Sequence, residues 1–192
     1  MAYADVWMIR PTLDHLPTWA LPEGYRLRTY RAGDEAAWMA LHLDADPYFT
    51  VKDAHFPPEF AENRAALAER MFFVETMANE VVGSITAWWM DDWRGSGEWG
   101  QIHWVVVART HQGRGLAKPM MAHTLQCLAG DHTRALLDTY TARTWAIKVY
   151  LDCGFSPDPA GLAKGEVRDA WLDLQKTLRH ADLQRALDQT ES

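Results

Sequence analysis

The chain has 192 residues, with 48% hydrophobic and 23% charged positions. This is the size and make-up of one globular domain with at most a short appendage, large enough to bury a core without metal or disulfide staples. Its 19 basic and 26 acidic residues leave a net charge of −7, which argues against a protein built to grip nucleic acid or anionic lipid. The two cysteines, Cys127 and Cys153, exclude a disulfide framework and a four-thiolate zinc site, and are read as small core residues. The N-terminus lacks a basic region followed by an apolar run, and no apolar stretch approaches the ~18 residues that span a bilayer. A soluble, cytoplasmic protein with reduced thiols and no membrane partner is expected.

In chain order, residues 1–23 read as an N-terminal extension packed on the domain. Pro11, Pro17 and Pro22 disfavour a long helix or a central strand there, while Trp7, Leu13, Leu16 and Trp19 suggest a strap. The domain proper is expected over 24–176, followed by a polar, helical tail over 177–192. Tyr25–Tyr30 alternates as a strand. Gly33-Asp34-Glu35 opens a helix to about Leu43, and Pro57-Pro58-Glu59 opens a second to about Arg70. Met71–Thr76 and Val81–Trp89 read as strands joined by a turn at Ala78-Asn79-Glu80. Asp91–Gly97 is a loop, and Gln101–Val107 an apolar, β-branched strand. Gly115–Leu128 reads as a helix, Arg134–Asp138 as a strand, Ala142–Cys153 as a helix, and Val167–Leu174 as an alternating strand. This order predicts an α/β (α+β) domain: a mixed sheet with helices on its faces.

The richest stretch runs from Ile102 to Ala117. A buried strand enters a glycine-bearing turn, and the turn opens a helix. Glycines permit positive φ and close approach of a ligand, and a helix start offers unpaired N–H groups and a positive dipole end. Together they form a seat for an anion such as phosphate, with Arg109, His111, Arg114 and Lys118 around it. The ATP-type loop, which needs Gly-Lys-Ser/Thr, is absent. The dinucleotide fingerprint fails because Lys118 stands in place of its third glycine.

Gln112-Gly113-Arg114-Gly115-Leu116-Ala117 resembles the pyrophosphate-binding motif of the GNAT acetyltransferase superfamily. Ala146-Ile147-Lys148-Val149-Tyr150-Leu151-Asp152-Cys153-Gly154-Phe155 resembles its late helix. The resemblance covers roughly residues 25–175. Arg109 replaces a frequent proline, Arg143 replaces a common asparagine, and Pro119 falls in the first helical turn or just beyond. The family fold is a mostly antiparallel sheet of six to seven strands, splayed between the fourth and fifth, with helices on both faces. The resemblance implies transfer of the acetyl group of acetyl-CoA to a primary amine of a small molecule or peptide, without metal. Gln112, Gly113, Arg114, Gly115, Leu116 and Ala117 would hold the pyrophosphate, and the backbone of Val105 and Val107 the pantetheine arm. Tyr150 would protonate the departing thiolate.

His103 is the preferred base. Its ordinary pKa suits proton transfer near neutral pH, and it lies two residues from Val105, so it shares a strand face with Val105 and Val107. Gln101 cannot act as a base, and Glu98 is held in reserve. A histidine in an apolar strand serves equally well as a bonded core residue, and Tyr150 as a packing residue. Of the ten tryptophans, neighbouring Trp88 and Trp89 should point to opposite faces, one of them towards an acceptor. His42, Tyr48, Phe49 and His55 fall in the region that shapes the acceptor site in the family. Asp91, Asp92 and Glu98 read as a solvated loop or as a lure for a cationic amine. A non-catalytic acyl-CoA-binding module, or transfer of a longer acyl group, fits the same motifs. Monomer and homodimer both stay open.

Overall fold

The computed structural model describes residues 3–45 and 55–189; Tyr48 and Phe49 therefore lie outside the described residues. Strands β1 (Asp5–Arg10) and β2 (Tyr25–Thr29) come first. Helices α1 (Glu35–Ala45), α2 (Pro58–Glu62) and α3 (Arg64–Arg70) precede β3 (Met71–Thr76), β4 (Val81–Met90) and β5 (Trp99–Val107). Then come α4 (Ala117–Leu128), β6 (Ala135–Tyr140), α5 (Thr144–Asp152), β7 (Ser156–Pro157), α6 (Pro159–Leu162), α7 (Gly165–Leu178) and α8 (Ala181–Gln189). The strands form one seven-stranded sheet in the order β2-β3-β4-β5-β6-β1-β7. Every neighbouring pair is antiparallel except β5 and β6.

The parallel pair β5–β6 is short. Its register covers only Gly100 against Ala135 and Gln101 against Leu136, after which the strands part. Helices cover both faces. Ile85 and Ala87 of β4 look towards the α4 side, where Met120, Met121 and Leu125 are buried. Trp88 of β4 and Phe73 of β3 look towards α1–α3, where Trp38, Phe60 and Leu67 complete a second core.

Two elements differ from the sequence expectations. The N-terminal segment is a strap only in part: Asp5–Arg10 is an interior strand between β6 and β7, whereas Leu13, Leu16, Trp19 and Leu21 beyond it pack on the core outside any helix or strand. It ends immediately before Pro11, so the prolines terminate the strand without interrupting its ladder. Val167–Leu174 is not a strand but part of α7. Its buried residues are Val167, Ala170, Trp171 and Leu174, spaced i, i+3, i+4, i+7, and this helical period outweighs the partial alternation. The region after Pro57 also divides, into α2 and α3 at Asn63.

β1 does more than extend the sheet. Arg10 at its end donates from Nη1 to the carbonyl of Cys153, from Nε to Thr12 O at 3.0 Å and from Nη2 to Asp14 O at 2.9 Å. The guanidinium thereby sits at the C-terminus of α5, where the helix dipole favours a cation. The chain leaves α5 through Gly154 at φ +81°, with Phe155 N bonded to Tyr150 O at 3.0 Å and Gly154 N to Leu151 O at 2.9 Å. This is a Schellman cap, in which left-handed glycine satisfies otherwise orphaned carbonyls.

A Cβ at residue 154 would collide with the Arg10 guanidinium as well as strain the backbone. Gly154→Ala should therefore destabilise the fold by about 2 kcal/mol or more in urea titrations. His42, 1% exposed on α1, is pushed down to about 3 by burial, with the positive charges of Arg143 and His103 adding to the effect. The unfolded chain then binds the extra proton between pH ~6.5 and ~3, so stability is complete above ~6.5 and is lost on acidification. The slope should reach up to about 1.4 kcal/mol per pH unit between pH 6 and 5, and disappear in His42→Leu.

Candidate active site

The parting of β5 and β6 opens a groove of about 710 Å³ between the end of β5, the start of α4 and one face of α5. Val105, Val106 and Val107 form its floor. Gln112, Gly113, Gly115, Leu116 and Ala117 form one end, and Ala146, Val149 and Tyr150 form a wall. Among the described residues, the N–H groups of Gly113, Arg114, Gly115, Leu116 and Ala117 meet no backbone or side-chain acceptor. Gly113 (φ +73°) and Gly115 (φ +80°) bend the turn so that these amides lead into the first turn of α4, which has no side-chain N-cap. Free amides at the N-terminus of a twelve-residue helix suit an anion.

The cationic side chains around the turn divide into two groups. Arg109 is bound to α1, its backbone N–H donating to Asp44 Oδ2 at 3.0 Å and its guanidinium to Asp44 O. Arg114 donates to Thr110 O at 3.1 Å and to Tyr25 Oη at 3.2 Å, and Tyr25 Oη lies 2.9 Å from His111 Nδ1. These two arginines brace the turn and do not line the groove. Gln112 Nε2 donates to Val107 O at 3.1 Å, tying the turn to the end of β5. Lys118 and Lys148 do line the groove, and both pair with Asp152, at 3.0 and 2.8 Å. Burial opposes ionisation of Asp152, but hydrogen bonds from Lys148, His180 and Lys118 outweigh it and hold the carboxyl well below the usual range.

A second cavity, of about 420 Å³, lies on the far side of β5. His42, His55, Glu59, His103, Trp104, Asp138 and Tyr140 are among its walls. Val105, Arg143 and Tyr150 line both cavities. Tyr150, buried to 7% exposure, thus stands where the two spaces meet.

A bulge in β5 decides which side chains reach the second cavity. β4 pairs Ser84 with Val106 but Thr86 with His103, so β5 carries one extra residue between them, and Trp104 adopts φ +50°. Directly opposed residues share a sheet face, so His103 shares one with Thr86, as Val106 does with Ser84. The expectation that His103 shares a face with Val105 and Val107 is therefore corrected: the inserted residue inverts the alternation. His103 faces α2, with Phe60 edge-on at 5.8 Å and Glu59 Oε1 3.3 Å from its Nε2. Trp104 packs on Trp38 and His42 at 5.1 and 5.2 Å.

Other expected participants lie elsewhere. Glu98 is half exposed, bonds to His132 Nδ1 at 3.0 Å and lines neither cavity. Trp88 and Trp89 do not diverge: their rings stack at 4.4 Å and 28° against the second core, and neither lines either of these two cavities. Trp89 folds back to bond Asp91 through Nε1 at 3.1 Å, under the Arg70 guanidinium. Glu59, Asp138 and Trp104 escaped the sequence reading. Glu59 reads locally as nothing more than a first-turn helix acid, and no local pattern brings α2 over β5. Among the described residues, no group of three or more His, Cys, Asp or Glu side chains could hold a metal, and no helix is long and apolar enough to cross a membrane.

Comparison with known proteins agrees with this geometry. Residues 37–155 match the model of the acetyltransferase (GNAT) family. A mycothiol acetyltransferase of Streptomyces bingchenggensis is 33% identical over 132 residues, covering 62% of this chain and 38% of the relative. One of Pseudarthrobacter chlorophenolicus is 30% identical over 180 residues, covering 86% and 53%. The chain thus spans about half the length, or less, of these curated relatives. The crystal structure of a GCN5-related N-acetyltransferase from Sphaerobacter thermophilus superposes with a TM-score of 0.61 at 23% identity, covering 80% of this chain and 48% of the other. An acetyltransferase from the GNAT family of Colwellia psychrerythraea gives 0.58 at 12% identity, covering 82% and 54%. A splayed sheet, a helix N-terminus with unsatisfied amides at the splay, and a family match across most of this region place the chain in the GNAT acetyltransferase family.

Proposed function

We propose that the protein is an acetyl-CoA-dependent N-acetyltransferase acting on a primary amine of a small molecule or peptide by direct attack. The observation that carries this reading is the meeting of two cavities at Tyr150 and Val105, with unpartnered helix-start amides at the end of only one of them. One space suits an extended carrier with a diphosphate, and the other a separate acceptor. Acetyl-CoA supplies the activated acetyl group as a thioester.

The chain's own residues fit that ligand. The amides of Gly113 to Ala117 hold the diphosphate by hydrogen bonds and helix dipole. Among the described residues, the β6-facing edge of β5 beyond Gln101 has no partner strand, so the pantetheine amides pair with Val105 and Val107 as an added strand would. Val107 offers its N–H for this, since its carbonyl already accepts from Gln112. The apolar wall of Ala146 and Val149 excludes water from the arm.

The amine must attack as the neutral base. Its nitrogen forms a bond to the carbonyl carbon while the carbon–sulfur bond breaks, and the nitrogen sheds one proton. His103, on the acceptor side of β5, takes that proton directly or through one water. The electron pair of the broken bond leaves on sulfur, and the Tyr150 hydroxyl at the junction of the cavities donates its proton there. Phenol and alkyl thiol acidities are close enough for that transfer. Tyr150 regains a proton from solvent. The polar lining of the second cavity, with Glu59, Asp138, His103 and Arg143, suits an acceptor that hydrogen-bonds around its amine. Because the curated relatives are named mycothiol acetyltransferases, a mycothiol-type acceptor belongs in the first panel tried, beside polyamines, aminoglycosides, amino acids and peptides.

Release of free thiol from acetyl-CoA across that panel is the direct test. Turnover with at least one amine is expected, and tight CoA binding without turnover on any acceptor would replace the enzyme with a non-catalytic acyl-CoA-binding module. Tyr150→Phe should lower kcat by about 10²-fold or more with the CoA dissociation constant changed little. Gly115→Val should do the reverse, weakening CoA binding at least ~10-fold because a β-branched residue cannot hold this positive φ. Calorimetric titration with CoA and steady-state kinetics separate the two effects.

A further inference from the structure

Glu59 stands in the first turn of α2 and reaches into the acceptor cavity, where its Oε1 lies 3.3 Å from Nε2 of His103. An ionised carboxylate only accepts, so the contact requires the proton of the imidazole on Nε2. In the neutral ring the lone pair then belongs to Nδ1. Both side chains are reachable from the cavity, at 21% exposure for His103 and 38% for Glu59. The geometry is held from several sides. Pro57 and Pro58 stiffen the entry to α2. The Phe60 ring stands edge-on to the imidazole, and the Trp104 ring lies 5.5 Å from it. The His103 hydrogen bond holds the Glu59 carboxyl below its usual range, burial partly offsets this, and the Trp104 side chain contributes a further hydrogen bond. Such a carboxylate is a poor base by itself but a good orienter of one.

We propose that Glu59 is the positioning residue of His103, fixing the Nε2–H tautomer so that Nδ1 is left to receive the proton of the acceptor amine. The inference deepens the preceding reading and rests on it, since it needs His103 to be the base. The transfer balances simply: one proton moves from the amine nitrogen to Nδ1, the imidazolium shares its charge with the Glu59 carboxylate, and solvent later removes the proton. The same division of labour between carboxylate and imidazole operates in hydrolytic triads.

The other groups facing His103 do not substitute for Glu59. His42 from α1 is neutral through burial. His55, ahead of α2, and Asp138 and Tyr140 from β6 line the same cavity, but none forms a hydrogen bond to the His103 ring among the described residues. Arg143 and Tyr150 also line this cavity. Among the described residues, Glu59 is therefore the carboxylate that holds the His103 ring by a hydrogen bond.

The test is the pH dependence of kcat/KM for the acceptor in the wild type, Glu59→Gln, Glu59→Asp and His103→Asn. Glu59→Gln should move the acid limb of the profile and reduce kcat at least ~10-fold, with the KM for acetyl-CoA unchanged. Glu59→Asp should recover part of both effects, and His103→Asn should abolish the limb. An unmoved limb in Glu59→Gln overturns the proposal, whether kcat falls through lost stability or the acceptor KM rises through lost substrate contact. If the limb also survives His103→Asn, the base assignment falls with it. If it vanishes there, only the role of Glu59 is lost.

Discussion

β5 and β6 share a ladder at Gly100–Ala135 and Gln101–Leu136 and then separate, although both strands continue for several residues. Backbone N–H and C=O groups inside a protein normally find partners, because leaving one unmade in a buried setting costs about 1–3 kcal/mol. An open sheet interior is therefore tolerable only where water or a ligand reaches it. Here the separation opens directly into the groove that ends at α4. The same event that interrupts the sheet supplies a strand edge, a helix start with free amides, and a passage to the acceptor cavity. The two parts of the proposed chemistry meet there, at Val105 and Tyr150.

The gap needs firm walls, and much of that firmness comes from distant parts of the chain. β1 holds β6 along its full length, from Asp5–Tyr140 to Arg10–Ala135, on the side away from β5. Its terminal Arg10 then clasps the end of α5, the helix that carries Tyr150. On the other flank, Asp152 gathers Lys118 of α4, Lys148 of α5 and His180 between α7 and α8. His180 Nδ1 accepts from Asp182 N at 3.2 Å, so its Nε2 carries the proton donated to Asp152. A half-buried carboxylate with three donors costs little to keep ionised, and it ties α4, α5 and the C-terminal helices together around the groove.

The acceptor side shows how a single inserted residue redirects chemistry. With regular alternation, His103 would face α4 along with Val105 and Val107. The bulge at Trp104 turns it to α2 and into contact with Glu59. Bulges re-aim side chains next to functional sites at modest cost, and this one is braced by Trp38 and His42 against the Trp104 ring. Burial that keeps His42 neutral also keeps a second positive charge away from the proposed base.

Local chemistry determined a great deal on its own. A β-branched run entering a two-glycine turn before a helix carries its own conformation, since Gly113 and Gly115 are the residues that adopt positive φ at no steric cost. The Gly154-Phe155 ending likewise dictates how α5 stops. The anion seat and the position of Tyr150 on a helix were therefore legible from residues near in sequence. Long-range pairing decided the rest. Val6-Trp7-Met8-Ile9 is a short apolar run, and its place in the sheet interior is set by the two edges that β6 and β7 offer it. Val167–Leu174 satisfies both a strand and a helix pattern, and the apolar face it could bury chose the helix. The bulge at Trp104 depends on β4 setting two registers along one strand, and the Glu59–His103 contact joins positions 44 residues apart. Side-chain periods report which residues go inward; only the packed sheet determines what they meet there.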